Sequence, residues 1–441
     1  MRRTFIYLLT TLGLAFTVRA TAQEQQPTFL RNASLEEIVE YAVVHQPAYQ
    51  QSQLDRRIAD KQIAGRLADW YPQINALMNY QHNFKINQVV TPTGVIKLGV
   101  NNTSSAQLNA TQNLFNRDVV LASQTASNVR LQAEQGVARS KLDLQVNTTK
   151  AFYDLLRTMQ QIRIGQEDII RLKRSLKDAE SRYNAGIADK TDFKRATILL
   201  SNATAVLLGN NESLKYKMEF LKAQIGYPPT QELSIRYDSL QMENEISLDT
   251  LDQLNYDSNV DYRILYITRE LQKANVQYMK MAYVPTLNLF GSYIINFQNN
   301  DFGELYKTKY PYVYGGATLS LPIFQGNKRN LRIQEQKFAL NRADWELTKL
   351  RNNLDTEYTR ALAAYRTSLA TYGALKQNVI LAKEVYDVIQ LQYSNGVRPY
   401  LDVTVAETDL QTARINYFNA LYAVLASKMD VLRAKGENNN Q

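Results

Sequence analysis

Tyr71-Pro72-Gln73-Ile74-Asn75 is where the chain changes period, and the same change returns about 210 residues later at Val284-Pro285-Thr286-Leu287-Asn288. Past Pro72, the residues Ile74, Ala76, Met78, Tyr80, Phe84 and Ile86 alternate with Gln73, Asn75, Asn79, Gln81, Asn83 and Lys85. That is the period-two pattern of a strand with one apolar face. From Leu98 to Leu114 the pattern recurs, with Leu98, Val100, Ala106, Leu108, Ala110 and Leu114 opposed to Asn101, Thr103, Ser105, Gln107, Asn109, Thr111 and Asn113. A polar loop containing Pro92 and Gly94 is expected to join these two strands. The second copy sets Leu287, Leu289, Tyr293, Ile295 and Phe297 against Asn288, Ser292 and Asn296. It then sets Val313, Ala317, Leu319, Leu321 and Ile323 against Tyr312, Thr318 and Ser320. Tyr71, Tyr80, Phe84, Tyr293, Phe297, Tyr310 and Tyr314 gather toward the strand ends.

Each strand pair runs into a long stretch without proline, from about Asp118 to about Asn184 and from about Lys328 to about Ser394. Read as helix, each is roughly 65 residues and roughly 100 Å long, more than a compact domain of this size can hold. Val119, Leu121, Val129, Leu131, Val137, Leu142, Leu144 and Val146 are separated by Ala, Ser, Thr and Asn, which describes narrow seams packed against neighbouring helices. Both rods end alike: Arg182-Tyr183-Asn184-Ala185-Gly186-Ile187 before Asp192 is matched by Gln392-Tyr393-Ser394-Asn395-Gly396-Val397 before Asp402. Leu114-Phe115-Asn116 likewise returns as Ile323-Phe324-Gln325. The expected chain is mainly α with two strand pairs, in two repeats spanning residues 23–227 and 261–436 around an insertion at 228–260.

Arg2 and Arg3 precede an apolar run from Phe5 to Val18 and then Ala20-Thr21-Ala22, the form of a secretory signal peptide over residues 1–22. Its removal would take the formal charge from +9 to about +6, because Arg2, Arg3 and Arg19 leave and no acid does. The chain has no cysteine, which excludes disulfides, thiolate metal sites and acylation at a lipoprotein cysteine. No later segment is apolar enough to span a bilayer as a helix, and residues 437–441 read as a disordered tail.

Alternating strands with aromatic ends in an exported chain fit transmembrane β-structure, apolar toward lipid and polar toward a lumen. Four strands cannot close a barrel, and a rod offers no core for an amphipathic hairpin to lie on. Several chains are therefore expected to share one barrel.

At this level of detail the sequence resembles the TolC-like outer-membrane efflux proteins, from about Leu35 to about Gly436. The resemblance rests on the duplication, the strand pairs ending in Leu114-Phe115 and Ile323-Phe324, and the two Tyr-x-x-Gly turns followed by an aspartate. It implies a homotrimeric α/β-barrel channel: a 12-stranded barrel among outer-membrane lipid, continued through the periplasm by a coiled-coil tube of 12 helices. Ser34 to His45, residues 228–260 and the chain end would form an equatorial belt. The implied function is the passive conduit of a tripartite efflux or type I secretion system, with a periplasmic adaptor protein and an inner-membrane pump of the RND or ABC class as partners. The alternative is a trimeric coiled-coil stalk or adhesin scaffold anchored by its hairpins.

The resemblance also assigns roles at the turns. Ala185, Gly186 and Ile187, with Asn395, Gly396 and Val397, would be the periplasmic tips on which the adaptor docks, and each glycine is in any case expected as a left-handed helix cap. Asp192, Tyr393, Arg398 and Asp402 match positions that latch neighbouring helix pairs shut. Local physics offers a plainer reading: Asp189-Lys190-Thr191-Asp192 has the form of a capping box, Arg398-Pro399 that of a helix start, and Arg398 and Asp402 that of an i, i+4 pair. Val405 stands where some relatives carry a second acid, which weakens a doubled acidic ring.

Enzyme chemistry finds no pattern here. His45 and His82 are the only histidines, no phosphate loop or nucleophile elbow occurs, and no cofactor or metal set is spaced along the chain. Arg171, Lys173, Arg174 and Lys177 are expected on a solvated outer face, and nucleic acid is not an expected partner in this compartment.

Overall fold

The computed structural model describes residues 30–186, 189–236, 239–249 and 253–436, so the expected signal peptide and tail lie outside the described residues. A reciprocal capping box between Ser34 and Glu37 starts α1 (Leu35–His45), and Gln46 caps α2 (Pro47–Ala68) with proline at its first turn. The chain then forms β1 (Gln73–His82), β2 (Asn87–Thr91), β3 (Gly94–Leu98) and β4 (Asn102–Phe115). Asn116 caps the long α3 (Arg117–Asn184), which turns back as α4 (Lys190–Ile225). The second half follows with α5 (Ser239–Asn244), α6 (Val260–Lys280), β5 (Thr286–Asn299), β6 (Tyr310–Ser320), α7 (Lys328–Ser394) and α8 (Tyr400–Lys435). The long helices have 68 and 67 residues and the returning helices 36 each. Both proline-free stretches are single helices with bounds within a residue of those expected.

The main sheet is antiparallel, in the order β1-β4-β5-β6, and β2-β3 pair separately. Several expectations are corrected here. The residues around Pro92 and Gly94 are a second hairpin, not a plain loop, so the strand expected from Leu98 begins at Asn102. Gly99, at φ +114°, and Asn83, whose Nδ2 donates to the Val100 carbonyl at 2.9 Å, divert the backbone between the two sheets. Phe84 and Ile86 fall beyond the end of β1. Leu321 and Ile323 fall beyond β6, because Pro322 has no N–H to give to a ladder. Gly326 and Asn327, both left-handed at φ +54° and +62°, then turn the chain into α7.

The largest apolar core lies midway along the rods, where Ile38, Leu155, Leu221, Ile225, Tyr365, Leu421, Val424 and Leu425 are almost wholly buried. The described part of the 228–260 segment is clamped onto this level. Ile235 bridges to Ala33, Glu243 accepts from Tyr417 and from Lys376, and Tyr365 donates to the Ile246 carbonyl at 2.8 Å. The returning helices end against the starts of the ascending ones. Gly226 closes α4 over His45 and Gln46, and Gly436 closes α8 over Ser258 and Asn259. Asn259 serves both ends at once, capping α6 through Tyr262 N–H and donating Nδ2 to the Ala434 carbonyl. Among the described residues no helix is long and apolar enough to cross a membrane.

Candidate functional site

Strand register decides what the sheet can touch. Ala76, Leu108, Tyr293 and Val313 line up across all four strands, as do Met78, Ala106, Ile295 and Pro311. On the other face Asn79, Ser105, Asn296 and Tyr310 align, and so do Asn75, Asn109, Ser292 and Tyr314. Ser292 donates to Asn109 Oδ1 at 2.6 Å, and Gln107 donates to the same oxygen at 2.5 Å. Neither face carries a core: β1 and β6 are exposed throughout, with Met78 81 % exposed. Among the described residues both edge strands have an unpaired side.

This register divides the aromatic residues of the strand ends between the two faces. Tyr80, Tyr293 and Phe297 stand on the apolar face, but Tyr310 and Tyr314 share the polar face with Tyr312, because Pro311 and Val313 take the alternate positions. The Phe290 ring packs on Tyr314 and covers Gly316, where an added Cβ would lie 2.9 Å from Phe290 Cζ. Tyr71 and Phe84 lie outside the strands.

The other end of the rods is built around two glycine turns. Gly186 and Gly396 sit at φ +70° and +75° with open space around them, and Ala185, Asn395 and Val397 are exposed. Ile187 lies outside the described residues. Asp189 caps α4, its carboxylate accepting from Thr191 N–H at 2.7 Å; this is a single cap, without the return bond from Asp192 that a capping box requires. Asp192 is half-buried in the first turn of α4 and forms no salt bridge among the described residues. Arg398 pairs with Asp402 at 3.0 Å within the first turns of α8, and its Nε donates to Gln392 at 3.3 Å.

Tyr393 is bonded within its own chain. Its hydroxyl donates to Asp178 Oδ2 at 3.0 Å across the seam between α7 and α3. Arg182 binds the same oxygen at 3.1 Å and lies 4.5 Å above the Tyr393 ring. Burial, then the Asp178 carboxylate, pushes the Tyr393 hydroxyl up to about 12. Ala179, Ala196, Tyr400 and Val403 close an apolar cluster around it, and Tyr400 shares a 2.8 Å hydrogen bond with Ser175. Within one chain, then, the structure brings Tyr393 to Asp178 and Arg398 to Asp402, and it leaves Asp192 apart from both.

A charged cluster between α3 and α8, farther from the turns, was not anticipated. Asp168 is 2 % exposed and accepts from Arg171, which also lies 3.6 Å from Glu407 on α8. Arg414 donates to Glu167 at 2.6 Å, and this bond holds the Glu167 carboxyl below its ordinary range. Burial pushes Glu407 above the ordinary 4.5, against the pull of Arg171. Arg171 is thus committed to two acids inside the seam, whereas Lys173, Arg174 and Lys177 are exposed as expected. The two histidines hold structure. His45 stacks on Tyr41 at 3.9 Å, and His82 shares a 2.6 Å hydrogen bond with Asn102. Among the described residues no group of three metal-binding side chains converges.

Comparison with known proteins gives these arrangements a context. The family model described as outer membrane efflux protein matches residues 38–226 and 266–437, which leaves out the clamped segment between them. Outer membrane protein TolC of Salmonella enteritidis is 22 % identical over 432 residues, covering 94 % of this chain and 84 % of its own. Proteases secretion protein PrtF of Dickeya chrysanthemi is 19 % identical over 316 residues, covering 71 % of this chain and 68 % of its own. The solved structure of the outer membrane protein VceC from Vibrio cholerae superposes with a TM-score of 0.73 at 17 % identity, covering 92 % of this chain and 96 % of that one.

Proposed function

Because this chain belongs to the outer membrane efflux protein family, an outer-membrane family of channels rather than enzymes, we propose that it is the passive conduit of a tripartite export system. Three copies would close one 12-stranded barrel, with β6 of each chain pairing β1 of the next. The observation that carries this reading is the sheet: apolar on one face, polar on the other, bare on both and open at both edges. In lipid an open edge leaves N–H and C=O groups unsatisfied at several kcal/mol each, so only a closed barrel is tolerable. The apolar rows would face acyl chains, and the rows containing Asn75, Asn109 and Ser292 would face water in a lumen. The four sheet strands connect to the helices α2, α3, α6 and α7, so the lumen would extend into the periplasm.

In this reading the Gly186 and Gly396 turns are the periplasmic tips and the docking surface for an adaptor protein, itself coupled to an inner-membrane pump. Asp192, Tyr393, Arg398 and Asp402 belong to the gate at those tips. PrtF carries protein secretion in its name, so type I protein secretion stands beside small-molecule efflux as the cargo class. Single-channel recording of the purified protein in a planar bilayer tests the conduit, since a stalk or adhesin carries no current. Mass measurement in mild detergent tests the trimer, and a monomer with intact strands would reject it.

A further inference from the structure

Where the sheet hands over to the rods, three arginines surround one cavity of about 320 Å³. Arg117 is the first residue of α3, and Arg329 and Arg332 lie one turn apart at the start of α7. Thr286 and Ser320, opposite each other at the foot of β5 and β6 and on the polar side of the sheet, line the same cavity with Gln325. No carboxylate lines it, and none of the three arginines forms a salt bridge among the described residues. The neighbouring Asp118 does not line the cavity and accepts from the Tyr278 hydroxyl at 2.5 Å.

Two of the guanidinium groups are held in place. Arg117 lies 4.6 Å above the Tyr278 ring, and Arg329 lies 4.6 Å above the Tyr283 ring. Arg329 also donates to the carbonyls of Pro322 and Ile323, at 2.5 and 3.1 Å. Arginine does not shed its proton, so three of them around one volume repel at every accessible pH. Only an anion relieves this, and the planar fork of N–H donors matches the oxygens of a phosphate. The hydroxyls of Thr286 and Ser320 and the amide of Gln325 add neutral donors beside the charges.

We propose that Arg117, Arg329 and Arg332 form a binding site for a phosphate-class oxyanion, carried either by a water-soluble solute or by a lipid headgroup. The site stands on its own residues; only its placement beside a lumen rests on the conduit reading.

Titration calorimetry of the full-length protein in dodecyl maltoside, with inorganic phosphate as the probe, tests it. Saturable binding is expected, weakened about tenfold in Arg332→Gln, which loses one charge-assisted partner. It should vanish in the triple variant Arg117→Gln, Arg329→Gln, Arg332→Gln. Arg332 is exposed and forms no hydrogen bond or salt bridge among the described residues, so the single variant reads the site even if the triple variant misfolds. Absence of saturable binding, or equal binding in wild type and Arg332→Gln, would overturn the proposal. Displacement of phosphate by phosphatidylglycerol assigns the site to a headgroup, and displacement by glycerol phosphate alone assigns it to a soluble solute. A protein that binds phosphate yet carries no current would keep this site and lose the conduit.

Discussion

Four glycines at helix ends have nearly the same backbone, with φ of +70° at Gly186, +72° at Gly226, +75° at Gly396 and +77° at Gly436. Replacing any of them by alanine forces a Cβ into the left-handed region, at about 1–2 kcal/mol. Their surroundings differ sharply. At Gly186 and Gly396 an added Cβ meets nothing within 4 Å. At Gly226 it would lie 2.6 Å from the His45 carbonyl oxygen, and at Gly436 2.8 Å from that of Ser258. These obstacles are backbone at the start of α2 and α6, so relief requires moving one helix end off another, an overpacking cost of about 1–3 kcal/mol more. Gly226→Ala and Gly436→Ala should therefore destabilise by about 2–5 kcal/mol, against about 1–2 for Gly186→Ala and Gly396→Ala. Denaturant unfolding followed by helical circular dichroism, at one protein concentration and in one detergent, measures the difference. If all four alanine variants unfold together, the end-to-end contact of returning and ascending helices does not carry the stability assigned to it.

The tips give a functional counterpart. Gly396→Asp should abolish export while leaving the assembled protein intact in detergent, since the turn is exposed and a charge there opposes docking; normal export would remove the tips from the docking surface. Arg398→Ser combined with Tyr393→Phe removes the bonds to Asp402 and Asp178 and should raise single-channel conductance, whereas unchanged conductance would leave helix capping as the sufficient account of these residues. Glu407 has a native pKa raised by burial, so its contribution to stability is complete below about pH 4.5 and is lost as pH rises through the higher native value. Glu407→Gln should flatten that loss in unfolding measurements across a pH series. Identical pH profiles for variant and wild type would show the carboxyl to be ionised as readily in the fold as out of it.

Much of the architecture is legible because its signals are local. The absence of proline over the rods, and alternation such as Leu287-Asn288-Leu289, depend only on neighbours in the chain. The β2-β3 hairpin escaped the same reasoning for a physical reason. It is exposed nearly throughout, so nothing imposes alternation on Val89-Val90 and Val95-Ile96, and its period is lost. The helix-end contacts at Gly226 and Gly436 are non-local. A glycine at a helix end announces a cap, but not that His45, some 180 residues earlier, will press against it.

The seam between α3 and α8 shows what a charge can reveal when it occupies an apolar position. Ile164, Asp168, Leu172 and Ala179 follow helical spacing, and all four are buried, so Asp168 stands inside the stripe that packs against the neighbouring helix. Val403, Glu407 and Leu410 form the matching stripe on α8. An acid in such a place is costly unless a partner arrives with it; Arg171 reaches Asp168 from the same helix, but its pairing with Glu407 and that of Arg414 with Asp168 form only when the two helices are in register. Nearer the turns the buried Tyr393 donates to the exposed Asp178, again with one member from each helical hairpin. Hydrophobic seams tolerate sliding, because their contacts are interchangeable along the rod. These polar pairs do not, since a shift of one turn would part Glu407 from Arg171 and the Tyr393 hydroxyl from Asp178. The two hairpins of one chain are therefore fixed to each other at two levels near the turns. A gate that opens by moving one hairpin against the other within a chain must break the Tyr393 bond first, whereas one that moves whole chains apart leaves both levels untouched.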